Sequence, residues 1–195
     1  MAAEPLKVVR ADNRLPAVLD AAARLFAEKG YVATSMRDIA VACGMLPGSL
    51  YYHFAAKEDL LVAVYERGVQ ALRDSVRAAV ARETDPWARL EAACAAHLET
   101  VLRRSDDAQV LIRVMPSDIA AVAAELRRLR DSYESEFEQL VAKLPLPAGT
   151  DRKTLRLMLL GALNWSRFWF DPERRDTPRS LARKFVKLLK EAQHG

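Results

Sequence analysis

Apolar residues recur three and four positions apart along nearly the whole chain, and no run of Val, Ile or Thr alternates with period two. That pattern predicts an all-α fold. Val18, Leu19, Ala22, Leu25 and Phe26 form the first stripe, which predicts a helix capped by Asn13, with Pro16 in its first turn and Gly30 at its end. Lys57 to about Arg82 reads as one long amphipathic helix with Leu60, Leu61, Val64, Tyr65, Val69 and Leu72 inside. After the break at Glu83-Thr84-Asp85-Pro86, Asp85 caps a helix from Trp87 to Arg103 whose stripe is Leu90, Cys94, Leu98 and Val101. Asp106 to Met115 predicts a short helix stopped by Pro116, and Ser117 is placed to cap a long one to about Lys143, carrying Ile119, Val122, Leu126, Leu129, Tyr133, Phe137 and Leu140. Asp151 caps a further helix through Phe170, and Thr177-Pro178 opens the last, which runs to about Gln193.

The stretch from Ser35 to Leu61 carries the densest local chemistry. Ser35 and Asp38 have the spacing of a capping box, so a helix begins near Met36 and buries Ile39, Ala42 and Cys43. Gly44 supplies the left-handed residue that ends it. Pro47 then suits the first turn of a second short helix, to about Tyr52. Leu50 and Phe54 point inward, which leaves Pro47, Gly48, Ser49, Tyr51, Tyr52 and His53 outward. An outer surface with two phenols, an imidazole and little charge fits DNA better than water: those groups donate to phosphates, and small residues let a helix approach base edges. Helix, glycine turn and helix make a helix-turn-helix motif.

Thr34-Ser35-Met36-Arg37-Asp38-Ile39-Ala40, then Gly44, then Gly48-Ser49-Leu50-Tyr51-Tyr52-His53-Phe54 and Lys57-Glu58-Asp59-Leu60-Leu61 resemble the DNA-binding domain of the TetR family of bacterial transcriptional repressors. The resemblance is dense over Ala21 to Leu61. It implies a head over residues 1–56 and a helical ligand-binding and dimerisation domain over 57–195, with 57–82 as the linking helix. It also implies that Arg37 and Ser49 reach bases and that Thr34, Tyr51, Tyr52, His53 and Lys57 meet phosphates, with Ser35, Pro47 and Gly48 beside them. Two positions depart from the family pattern. Leu46 and Ala56 stand where a capping Ser, Thr or Asn is usual, and a lost cap costs about 1 kcal/mol. Glu58 and Asp59 partly offset the second by complementing the helix dipole.

The last helix sets Leu181, Phe185, Leu188 and Leu189 against Arg183, Lys184, Lys187 and Lys190. A basic amphipathic helix can lie on a membrane, but beside a DNA-reading head a homodimer contact explains it better, and TetR-like proteins pair through their last two long helices. The expected partners are therefore double-stranded DNA with a palindromic operator, a second copy and a small-molecule effector, with no membrane.

Composition sharpens this by exclusion. The chain has 195 residues and a formal net charge of +4, modest but favourable for approach to a polyanion. Cys43 and Cys94 lack metal-ligand spacing and read as reduced and buried, so no metal and no cofactor are expected. Residues 1–16 lack the apolar core of a signal peptide, and no segment reaches membrane-span length, which points to a cytoplasmic protein. Lys7 and Arg10 sit in an aperiodic N-terminal stretch that reads as a frayed terminus. Three histidines, no Gly-rich phosphate loop and no nucleophile elbow argue against an enzyme.

The most informative stretch outside the head is Gly161 to Pro172, with Trp165, Phe168 and Trp169 at i, i+3 and i+4 beside Asn164 and Arg167. Helical spacing lets these aromatics fill the core and the dimer seam. The run Ala-Leu-Asn-Trp followed by an aromatic pair and Pro also resembles a TetR subgroup that represses fatty-acid and steroid-ring catabolism, some of whose members are released by acyl-CoA thioesters. An aromatic wall with Arg113 and Arg167 as anion partners suits an acyl chain on a phosphorylated head group, and the alternative effector is another hydrophobic, apolar or aromatic, small molecule. Leu98, Val101, Arg113, Phe137, Asn164, Trp165, Phe168 and Trp169 are the candidate effector contacts, and His97 reads as structural. A homodimeric, ligand-released repressor is the expected function. An activator or a co-repressor-dependent regulator would share the fold, and a helical interaction module without DNA binding is the remoter alternative.

Overall fold

The computed structural model describes residues 14–103, 105–173 and 175–191, and among them every regular element is helical. In chain order these are α1 (Leu15–Lys29), α2 (Met36–Ala42), α3 (Pro47–His53), α4 (Lys57–Val80), α5 (Pro86–Leu102), α6 (Asp106–Arg113), α7 (Ala123–Ala142), α8 (Arg152–Trp169) and α9 (Pro178–Glu191). Asn13, Lys7, Arg10 and Gln193 lie outside the described residues.

Several boundaries follow directly from side-chain chemistry. Ser35 and Asp38 form the reciprocal box, with the Ser35 N–H donating to Asp38 Oδ2 at 2.9 Å and the Asp38 N–H to Ser35 Oγ at 3.1 Å. Gly44, at φ +64°, ends α2 in the left-handed region. Asp85 and Asp151 accept the N–H groups of Ala88 and Thr154, and Ser105 caps α6. Thr177 and Ser180 cap α9 reciprocally.

The helix expected from Ser117 starts later. Two short 3₁₀ turns, Pro116–Asp118 and Ala120–Val122, precede α7, which begins at Ala123. The Asp118 carboxylate takes the Met115 N–H at 2.9 Å and closes a turn around Pro116, while Ile119 is extended (φ −131°, ψ 90°), so the helical run cannot begin there. Ile119 and Val122 are accordingly half-buried beside the core rather than part of the α7 stripe.

Helix α4 is the spine: it packs on α1, α5, α6 and α7. Helix α5 lies between α4, α8 and α9. Phe26, Ile39, Leu50, Leu60, Leu61, Leu90, Leu98, Leu126, Phe137 and Leu163 are fully buried, each removing apolar surface worth roughly 2–3 kcal/mol of transfer free energy. In α2 the buried set is Met36, Ile39 and Ala40, with Met45 after it; Cys43 continues that face half-buried, whereas Ala42 falls off it and is exposed. The aromatics of α8 also depart from expectation. Leu155, Leu159, Leu160, Leu163 and Ser166 face the core, whereas Trp165 (62 % exposed), Phe168 and Trp169 lie off that face.

Polar contacts and one close approach join α1, α4 and α6. Arg67 of α4 donates to Asp20 of α1 at 2.7 Å and to Asp107 of α6 at 2.8 Å. Arg113, at the end of α6, donates to the Ala27 carbonyl of α1. Gly68 lets α4 approach α6 closely, since a Cβ there would lie 3.1 Å from Leu111.

Candidate nucleic-acid interface and effector cavity

Helices α2 and α3 present a contiguous polar surface. Ser35, Arg37, Gly48, Ser49, Tyr51 and Tyr52 are exposed, and Pro47 and His53 are half-buried at its edge. Tyr52 is 88 % exposed and meets the His53 ring edge-on. Leu50 anchors α3 from below, and Phe54 is half-buried against the same core. No side chain stands near Gly48, so the backbone of α3 is open to close approach there.

Two residues expected at phosphates are committed inward instead. Thr34 is buried, its hydroxyl within reach of the Gly30 carbonyl at 2.8 Å and the Leu25 carbonyl at 3.2 Å. Lys57 donates to the carbonyls of Tyr31 at 2.9 Å and Thr34 at 2.8 Å, and its ammonium lies 4.2 Å from the centre of the Tyr31 ring. Tyr31 in turn donates to Glu58 at 2.6 Å. That bond holds the Glu58 carboxyl below its usual range, and burial followed by Glu58 pushes the Tyr31 phenol up. Thr34 thus bonds the end of α1, and Lys57 and Glu58 clamp the loop that follows it to the start of α4, which no local spacing rule would reveal.

A cavity of about 300 Å³ lies between α4, α5, α6, α7 and α8. Its walls are largely apolar, with Tyr65, Val69 and Leu72 from α4, Leu111 and Ile112 from α6, and Leu160, Trp165 and Phe168 from α8. His97 is buried, and its Nδ1 and Nε2 lie 2.7 Å from the Tyr133 hydroxyl and 3.2 Å from Asn164 Oδ1. Burial drives the His97 pKa down to about 4, so the ring is neutral. Glu134, also at the wall, accepts from Arg130 at 3.1 Å and Arg156 at 2.9 Å. Val101, Arg167 and Phe168 are shared with an outer basin bordered by Ala27, Arg113, Phe170 and Pro172. Burial, then the Arg113 charge, lower the Arg167 pKa, and among the described residues neither guanidinium pairs with a carboxylate. The Glu28 and Asp106 carboxylates also border the basin, so its charged lining is mixed, with Arg167 on the side shared with the cavity.

Residues 18–64 match the model for bacterial regulatory proteins of the tetR family, and residues 83–192 match the tetracyclin repressor-like C-terminal domain. The chain belongs to the TetR family. Among TetR-family relatives, the transcriptional repressor KstR2 of Rhodococcus jostii is 33 % identical over 129 residues, 66 % of this chain and 61 % of that one. The chain thus spans under two thirds of that relative's length. The transcriptional activator FasR of Mycolicibacterium smegmatis is 27 % identical over 175 residues, 85 % of this chain and 78 % of FasR. The crystal structure of AibR in complex with isovaleryl coenzyme A and operator DNA superposes with a TM-score of 0.76 at 28 % identity, covering 90 % of this chain and 97 % of AibR.

Of the effector contacts expected from the sequence, Val101, Asn164, Trp165 and Phe168 line the cavity, and Arg113 borders the outer basin. Leu98 and Phe137 do not: both are fully buried in the core, where Phe137 packs edge-on against His97 and Tyr133. Trp169 is on another side of α8, against Phe185 of α9. His97 is structural, as its sequence context implied, but it also forms part of the wall together with Tyr133 and Arg130. Its two partners lie 36 and 67 positions away, beyond any spacing signal. No described helix is long and apolar enough to cross a membrane, and no cluster of metal-ligating side chains occurs among the described residues.

Proposed function

We propose that the chain is a homodimeric repressor that binds a pseudo-palindromic operator through α2 and α3 and is released by a small acyl-CoA-type ligand. One observation carries the effector class: an apolar cavity that opens onto a basin bordered by the Arg113 and Arg167 guanidiniums, neither of which forms an ion pair with the Glu28 and Asp106 carboxylates on the same border. An acyl chain suits the first and a phosphorylated head group the second. That AibR was solved with isovaleryl coenzyme A and operator DNA supports the same class.

Helix α6 links this site to the head. Leu111 faces the cavity and packs on Gly68 of α4, and Arg113 at the basin holds the Ala27 carbonyl of α1. An anion that engages Arg113 competes with that carbonyl, and a ligand that displaces Leu111 moves α6 against α4. Either effect changes the spacing of paired heads, and the ligand weakens DNA binding only by as much as it prefers the other spacing. The exposed Leu157, Met158, Trp165, Trp169 and Leu188 of α8 and α9 supply an apolar surface for pairing the two copies.

Selection of random duplex DNA by the purified protein at fixed salt, with and without isovaleryl-, octanoyl- and palmitoyl-CoA, tests this reading. A palindromic motif lost with an acyl-CoA is the expected result. A motif indifferent to all three would remove the effector class, and no motif would remove the DNA-binding role of α3. The similarity to FasR, an activator, makes activation the second reading; transcription from a promoter bearing the selected motif, rising rather than falling with the protein, would establish it.

A further inference from the structure

His97, Tyr133 and Asn164 form a hydrogen-bonded chain across α5, α7 and α8 in the wall of the cavity. A neutral imidazole donates from one nitrogen and accepts at the other. Nε2 faces the Asn164 oxygen and therefore carries the proton, and Nδ1 accepts from the Tyr133 hydroxyl. In this arrangement the Asn164 oxygen is spent on the ring and its NH₂ group is turned away from it. That NH₂ group has two donors and, among the described residues, no protein partner. Asn164 borders the cavity and is itself exposed, and Gly161, one turn earlier on the same helix, leaves open space beside it.

We propose that Asn164 is a specificity-determining residue whose NH₂ donates to the acyl oxygen of a thioester effector, with His97 and Tyr133 as positioning residues. This rests on the acyl-CoA reading above. Apolar walls alone accept any hydrocarbon of suitable size, whereas a held donor discriminates. A ligand without the oxygen strips water from the NH₂ and returns no acceptor, and sites built to bond a polar group reject the analogue lacking it far more strongly than they reject a missing methylene. His97 supplies the rigidity: buried and bonded on both sides, it holds one end of the carboxamide and leaves the other to the cavity.

Calorimetric titration of the full chain with two matched pairs tests the assignment: isovaleryl-CoA against its thioether S-isopentyl-CoA, and octanoyl-CoA against S-octyl-CoA. In each thioether a methylene replaces the carbonyl, and the phosphorylated part is unchanged. In the pair that binds, the wild type should prefer the thioester by roughly tenfold or more. Asn164→Leu should bring the two affinities within about twofold of each other, and Tyr133→Phe should narrow the ratio while Asn164 is still present. Asn164 is exposed, so Asn164→Leu leaves the core intact, and a fold lost only in Tyr133→Phe leaves the Asn164 arm decisive. Equal affinities in the wild type, or an undiminished ratio in Asn164→Leu, would overturn the role of Asn164 while the acyl-CoA reading stood. Binding of neither thioester by the wild type would remove both.

Discussion

The head and the cavity use polar side chains in opposite ways. In the head, Arg37, Ser49, Tyr51 and Tyr52 are turned outward on α2 and α3, while Thr34, Lys57 and Tyr31 hold the head together by bonding the end of α1, the loop after it and the start of α4. In the cavity the polar groups are bonded first to one another, across three helices: His97, Tyr133 and Asn164 all line the wall, and Asn164 is the exposed end of the hydrogen-bonded chain. On the function proposed above, the head carries its contacts on a surface whose scaffold is separate. In the cavity the buried members of the chain serve both purposes, so a substitution at His97 or Tyr133 costs stability and selectivity together, whereas the exposed Asn164 can be changed with the core intact.

The largest effect expected from that contrast is at Phe137. Its ring is fully buried against His97 and Tyr133, and Phe137→Ala should cost about 3–5 kcal/mol in denaturant unfolding. A loss under 1 kcal/mol would show that the wall is not packed as described. The next effect is in pH. His97 titrates near 6.5 unfolded and near 4 folded, so the unfolded chain takes up the proton first. Stability is therefore complete above about pH 6.5 and falls as the pH drops toward 4, by up to about 3 kcal/mol. His97→Gln should be less stable at pH 7 yet lose less between pH 7 and pH 4.5; thermal melts across that range would show it, and an unchanged slope would mean that His97 is not the group responsible.

The same contrast explains what was legible in the sequence. Ser35 with Asp38, Gly44, Asp85-Pro86 and Asp151 act within four residues of themselves, and each marks the boundary expected of it. Ser117 failed as a cap because Asp118 competes for the same turn, a contest that spacing does not reveal. Leu98, Phe137 and Trp169 were expected at ligand because helical periodicity shows that a face is apolar without showing what lies opposite. Leu98 and Phe137 meet the core and Trp169 meets Phe185, while Asn164, Trp165 and Phe168 meet the cavity. Family position puts Thr34 and Lys57 at phosphates, but Thr34 is claimed by carbonyls at the end of α1 and Lys57 by the Tyr31 and Thr34 carbonyls of the loop that follows.

Lys57 and Arg37 separate the two roles within the head. Lys57→Met removes two charge-assisted bonds to backbone carbonyls and should cost about 2 kcal/mol of stability, with the salt dependence of DNA binding unchanged. Arg37 is exposed, so Arg37→Ala should leave stability within about 0.5 kcal/mol and relax base preference by about 1–3 kcal/mol at one position of the motif. Melting curves and competition binding at several salt concentrations measure both. A flatter salt slope in Lys57→Met would return Lys57 to the phosphates.

The smallest effect concerns the two missing caps, which are not equivalent. At Ala56 the Asp59 carboxylate still accepts the Ala56 N–H at 3.0 Å, so half of a capping box survives at the start of α4. At Leu46 nothing replaces it: the residue is 76 % exposed, its backbone is extended as a cap requires (φ −73°, ψ 142°), and no side chain bonds the first turn of α3. Leu46→Ser should therefore stabilise α3 by about 1 kcal/mol, whereas Ala56→Ser should gain less. Hydrogen exchange at the α3 amides would register the difference as slower opening in the first variant. If α3 is already fully ordered before it meets DNA, operator affinity stays constant while exchange slows. If ordering of α3 accompanies binding, affinity rises by up to about fivefold, the same free energy now appearing in the complex.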